Sequence, residues 1–94
     1  MIRSYGDSRT RKFAAGQRIK QFEPIRRSAE KALDRLDAAT TLFDVSNFPG
    51  HRLEKLKGER AGTYGIRIND QWRICFDWPD GSIGPENVTI KDYH

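Results

Sequence analysis

The sequence predicts an α+β fold in which two N-terminal helices pack on one face of a small, mainly antiparallel sheet, and two patterns carry that prediction. From position 25 to 39, apolar residues recur every three or four places, the spacing that lines one side of a helix. In the last third of the chain they alternate with polar residues, the period of a half-buried strand. Helices followed by strands predict one domain over residues 1–94. A chain of that length buries roughly 60–65% of its unfolded surface and holds one modest core.

Taken in order, residues 1–5 offer Ile2 and Tyr5 for burial and can add an edge strand. Asp7 or Ser8 caps a first helix running to about Ala15, with Phe13 and Ala14 facing inward and Gly16 just past the end. Residues 17–23 form a link whose Ile19 and Phe22 pack down. Pro24 suits the first position of the second helix, and Ile25, Ala29, Ala32, Leu33, Leu36 and Ala39 form its apolar stripe. The outer face alternates in charge, Arg26 with Glu30 and Lys31 with Asp34, as a solvated helix surface does. Residues 40–62 carry turn formers and charges with few apolar anchors and read as a long irregular stretch. A helical turn within HRLEKLKGER would place His51, Glu54 and Lys57 on one side.

In TYGIRI, Tyr64, Ile66 and Ile68 alternate with Gly65 and Arg67; in WRICFDW, Trp72, Ile74, Phe76 and Trp78 alternate with Arg73, Cys75 and Asp77. The polar Asn-Asp-Gln between them is short enough to make an antiparallel hairpin. Ile68 then faces Trp72, Arg67 faces Arg73 and Ile66 faces Ile74. Both arginines fall on the side opposite the apolar one, where like charges repel, and an anionic partner is the simplest reason to tolerate them. Trp72 and Trp78 share the apolar face and read as core. In ENVTIKDYH, Val88 and Ile90 alternate with Thr89 and Lys91, which ties a third strand into the core and puts Tyr93 on the polar side. Asp92, Tyr93 and His94 extend from that strand.

Seventeen Lys and Arg against thirteen Asp and Glu give a net charge of +4 and a pI near 9.5, which favours an anionic partner. Residues 51–73 hold six basic side chains (Arg52, Lys55, Lys57, Arg60, Arg67, Arg73) against three acidic ones. Cys75 is the single cysteine and has no internal disulfide partner. No apolar run suits a signal peptide or a membrane span, so the expected location is the cytoplasm.

The run GHRLEKLKGERAGTYGIRINDQWRICF and the IKDYH end resemble the HigB group of toxins in the RelE/ParE superfamily, the plasmid maintenance killer proteins. The Met-Ile-Arg-Ser-Tyr start and the order of elements fit as well. The resemblance implies a toxin of a type II toxin-antitoxin system: a ribosome-dependent endonuclease that cuts mRNA in the A site without metal or other cofactor. It also implies a HigA-like helix-turn-helix antitoxin, and operator DNA reached through the toxin–antitoxin complex. Carried across by position, Lys57, Arg73, Asp92, Tyr93 and His94 match residues used for catalysis or substrate contact. Where some relatives have a histidine, this chain has Glu54; His51 stands at a different offset and reads as structural or solvated. Arg52, Lys55, Arg60 and Arg67 are candidates for contact with RNA.

Cutting RNA without metal requires a base for the 2′-OH, an acid for the leaving 5′-oxygen and fixed positive charge on the phosphate. Arg73 and Lys57 suit the last task, Arg73 better because its planar fork matches phosphate oxygens. His94 suits acid or base work near neutral pH, with Glu54, Asp92 or Tyr93 as its partner, and Tyr93 can also stack on a base. Taken alone, Lys57 reads as solvated, and Asp92 suits a pair with Lys91. Two other functions fit the same fold: a ParE-like gyrase inhibitor, which the IKDYH end disfavours, and an inactive antitoxin-binding regulator, which the departure at Glu54 favours.

Overall fold

The computed structural model describes residues 1–47, 53–55 and 62–92. Along the chain come α1 (Ser8–Ala14), a 3₁₀ helix (Lys20–Ile25), α2 (Arg26–Ala38), α3 (Leu42–Ser46) and the strands β1 (Leu53–Lys55), β2 (Thr63–Arg67), β3 (Trp72–Asp77) and β4 (Glu86–Asp92). The four strands form an antiparallel sheet in the order β1-β2-β3-β4. This is the α+β arrangement that the two periodicities predict.

The hairpin at its centre is set by Asn69. Its side-chain oxygen accepts the Gln71 and Trp72 N–H groups at 2.9 and 2.8 Å, the local bonding that makes asparagine a turn residue. The Ile68 N–H donates to the Trp72 carbonyl at 3.0 Å. Ile66 therefore aligns with Ile74 and Arg67 with Arg73, as alternation predicts. Ile66, Ile74, Val88 and Ile90 are buried on one side against Phe13, Phe22, Ile25, Ala29, Leu33 and Leu36. The predicted stripe of α2 is buried throughout, from Ile25 to Ala39. Trp78 also joins the core, and Trp72 packs against it with its ring edge-on to Phe22 at 5.8 Å.

Several sequence expectations change. Asp7 caps α1 by accepting the Thr10 N–H, but the buried side chains are Thr10 and Phe13, three apart, while Ala14 is exposed. Pro24 lies inside the 3₁₀ helix and α2 begins at Arg26. Residues 20–25 wind directly after the extended Ile19, so the turn before the helix absorbs the proline. The stretch 40–62 is not all irregular, because it contains α3 and β1. Thr41 and Asp44 form a reciprocal capping box on α3, and donation from Thr40 and Thr41 holds the Asp44 carboxyl below its ordinary range. Glu54 consequently sits in an extended strand and not on a helical turn; His51 and Lys57 lie outside the described residues.

Residues 1–6 meet the sheet in parallel at a single bridge, Tyr5 to Val88, instead of forming a full edge strand. They nonetheless use up the free edge of β4. Val88 donates to the Ser4 carbonyl at 3.0 Å, Gly6 donates to the Val88 carbonyl at 2.9 Å, and the Ile90 N–H donates to the Thr10 hydroxyl at 3.1 Å. The approach at Gly6 is so close that a Cβ there would overlap the Thr89 hydroxyl. A β-bulge between β3 and β4 leaves Asn87 at φ 53°, a left-handed conformation that asparagine tolerates better than most residues.

Thr10 is fully buried, so its hydroxyl acts as a backbone substitute for the edge of the sheet. Thr10→Val keeps the shape and orphans the Ile90 N–H, which should cost about 1–3 kcal/mol in urea unfolding. The Ile90 amide should lose exchange protection at the same time; unchanged stability would remove the hydroxyl from the list of edge supports.

Candidate active site

The helices cover one side of the sheet, and the polar residues of the strands fall on the other. Register there aligns Arg67 on β2, Arg73 on β3 and Lys91 on β4 in one row. The neighbouring row is Glu54, Gly65, Cys75 and Thr89. Gly65 has no side chain to stand between β1 and β3, and Glu54 Oε1 reaches across it to 3.9 Å from Arg73 Nε.

Arg73 is the most firmly placed of these groups. Its side chain is 14% exposed, and Nη1 donates to the Asn69 and Trp72 carbonyls at 2.6 and 3.1 Å. Arg67 Nε donates to the same Asn69 carbonyl at 3.4 Å, while Nη2 pairs with Asp70. Among the described residues, Glu54, Asp70 and the shared Asn69 carbonyl partly balance the cross-strand arginines. Asp70, with a side chain 97% exposed, contributes little to this balance because solvent screens it. The face stays cationic, with guanidinium groups oriented on a rigid hairpin where they could bind a phosphate without reorganising.

Not every residue singled out in the sequence falls on this face. Lys55 aligns with Tyr64 and so has the parity opposite to Glu54; it is exposed at the rim of the helix side. Asp92 aligns with Trp72 and shares the parity of Ile90, and its carboxylate accepts a 3.1 Å hydrogen bond from the Gln71 side chain. It lines a cleft of about 400 Å³ at the end of the sheet, together with Arg9, Gln21, Trp72 and Lys91. Arg52, Lys57, Arg60, Tyr93 and His94 lie outside the described residues. The structure therefore gathers Glu54, Arg67 and Arg73, and places Asp92 around the strand end from them. It adds Lys91, whose parity with Tyr93 was visible in the sequence, and Asn69 and Gln71, whose roles depend on the turn.

Residues 5–94 match the family model of HigB-like toxins, described as the RelE-like toxin of the type II toxin-antitoxin system HigB. The chain belongs to the HigB-like toxin family. It is 42% identical over 66 residues to Toxin HigB-1 of Vibrio cholerae serotype O1, covering 66% of this chain and 70% of that one. It is 35% identical over 63 residues to Endoribonuclease HigB of Proteus vulgaris, covering 65% of this chain and 66% of the relative. Membership makes the chain a type II toxin with an antitoxin as partner. Among the described residues, no helix of this HigB-family toxin is long and apolar enough to cross a membrane.

The Glu54–Arg73 pair is long, and the Glu54 side chain is 39% exposed. A double-mutant cycle with Glu54→Gln and Arg73→Gln should accordingly give a coupling energy below about 1 kcal/mol in urea unfolding. A coupling of several kcal/mol would make the pair a structural brace.

Proposed function

We propose that this toxin acts as a ribosome-dependent, metal-independent mRNA endonuclease in the ribosomal A site and so inhibits translation. It works in the cytoplasm as a single domain over residues 1–94. A HigA-like helix-turn-helix antitoxin silences it, and the complex of the two binds operator DNA. The observation that carries this reading is Arg73: a guanidinium fixed to a turn, mostly buried, flanked by Arg67 and Lys91 and within 3.9 Å of a carboxylate. Family membership and the relative named an endoribonuclease support the same reading.

In this mechanism the 2′-OH of the substrate attacks the adjacent phosphorus, and the bond to the leaving 5′-oxygen breaks. Arg73 holds charge on the phosphate oxygens in the transition state, and Lys57 shares that role. Glu54 or His94 takes the 2′-OH proton, and His94, Asp92 or Tyr93 supplies the proton to the leaving oxygen. Arg52, Lys55, Arg60 and Arg67 guide RNA and ribosome by charge. A small site with few anchors needs the ribosome to orient its substrate.

The test is single-turnover cleavage of an mRNA on programmed ribosomes and free in solution. Cleavage should be efficient only on ribosomes, survive a chelator when ribosome integrity is maintained independently, and leave 2′,3′-cyclic phosphate ends or their hydrolysis product. Arg73→Ala should lose about 10²-fold or more in rate, the effect of removing a transition-state charge donor. Arg67→Ala should mainly weaken association, and deletion of His94 should cost roughly 10²–10⁴-fold. Equal rates on free RNA, or 3′-hydroxyl ends, would overturn the reading.

A further inference from the structure

We infer that the cleft at the end of the sheet, between α1 and the ends of β3 and β4, is a nucleotide-binding subsite that receives a base adjoining the scissile phosphate; this rests on the endonuclease reading above. Lys91 stands in the same row as Arg67 and Arg73, yet it also lines this cleft. Asp92, the next residue, has the opposite parity. A strand of RNA held on the Arg73 face and reaching Asp92 must therefore turn over the end of the sheet, and the cleft is where it arrives.

The walls suit a nucleotide. Half-buried Trp72 presents an aromatic surface at the cleft, a platform of the kind on which bases stack. Exposed Gln21 also lines the cleft with a side-chain amide, which carries both a donor and an acceptor for a base edge, and Asp92 adds an acceptor. Arg9 lies with its guanidinium carbon 5.9 Å from the centre of the Phe22 ring, and with Lys91 it gives the rim two cations for the flanking phosphates; Asp7, the other carboxylate of the lining besides Asp92, is engaged in accepting the Thr10 N–H. At about 400 Å³ the cleft falls in the roughly 300–1,000 Å³ range of small-molecule pockets. It also gives the basic first helix a task that core packing leaves unassigned: Thr10 and Phe13 face inward, and Arg9 is exposed beside the cleft.

The experiment maps cleavage on ribosomes programmed with mRNAs randomised at the nucleotides around the cut, using full-length wild type, Arg9→Ala and Gln21→Ala. Both substituted side chains are exposed, so thermal unfolding should match wild type. Gln21→Ala should flatten the preference at one neighbouring position by about fivefold, the effect of one neutral hydrogen bond. Arg9→Ala should lower kcat/KM about tenfold on every sequence and reduce its salt dependence. A second measurement works without turnover. In nuclear magnetic resonance titrations with a 2′-O-methyl trinucleotide, the Trp72 indole and the Gln21 amide should shift while the buried Trp78 indole does not. Wild-type rate and preference in both variants would overturn the subsite and leave the endonuclease standing. If wild type fails to cut, the endonuclease reading falls, and a titration that leaves Trp72 and Gln21 unmoved would then overturn the subsite as well.

Discussion

Leu53, Ile66, Ile74 and Ile90 stand in one register row across all four strands, and the placement of every other strand residue depends on that row. The three isoleucines are essentially excluded from water, so a slip of one residue in β2, β3 or β4 would exchange an isoleucine for Gly65, Arg67, Arg73, Cys75, Thr89 or Lys91 on the buried side. Burying an unpaired guanidinium costs far more than the slip could regain elsewhere. The apolar row therefore fixes the polar one. Arg67, Arg73 and Lys91 line up because the isoleucines beneath them must.

The same row explains why the residues proposed for the site do not all share a face. Glu54, Arg73 and Lys91 differ in parity from Ile66, Ile74 and Ile90, while Lys55 and Asp92 have the parity of the core. On an edge strand or at a strand end such a residue escapes burial by reaching past the helices, and both Lys55 and Asp92 are exposed. Asp92 can do so because the partner it aligns with, Trp72, is the first residue of β3, where the sheet gives way to the Asn69 turn. Gln71, in that turn, then donates to it. A site assembled here wraps the rim of the sheet and does not lie flat upon it.

Much of this was legible in the sequence because alternation is a strong signal where strands are long. The β2–β3 register, the burial of Val88 and Ile90, and the α2 stripe all followed from counting. What escaped had weaker local causes. β1 is three residues, Leu-Glu-Lys, too short to show a period and set in a run of charges. α3 is five residues long and declares itself through the Thr41–Asp44 box, a cue easily lost among turn formers. Thr10 looks like an ordinary polar helix residue until the unpaired edge of β4 arrives 80 positions later. Asp92 was singled out through the resemblance carried by the IKDYH end, but the side its carboxylate occupies depends on where the turn ends, a tertiary fact. The anionic partner expected for the facing arginines proved partly internal, supplied by Glu54 and Asp70, with the neutral Asn69 carbonyl accepting from both guanidinium groups.

The two facing arginines also differ in what they can contribute to a reaction, and exposure decides which does what. Arg67 has a side chain 39% exposed and pairs with a fully hydrated carboxylate, so its charge is screened by water and salt and acts mainly at a distance. Arg73 is 14% exposed, and two backbone carbonyls orient it. Coulomb attraction to a phosphate at 4 Å rises from about 1 kcal/mol in bulk water to about 4 at an effective dielectric constant of 20, so the less hydrated cation acts more strongly on developing charge. The carbonyls that orient Arg73 leave its charge intact, whereas a close, buried carboxylate would cancel it. Glu54 at 3.9 Å and partly exposed falls short of that, near enough to orient the Nε edge and too screened to neutralise the group. On these grounds Arg73 is the cation suited to the transition state and Arg67 the one suited to encounter with RNA, a division set by the depth of each side chain at the same turn.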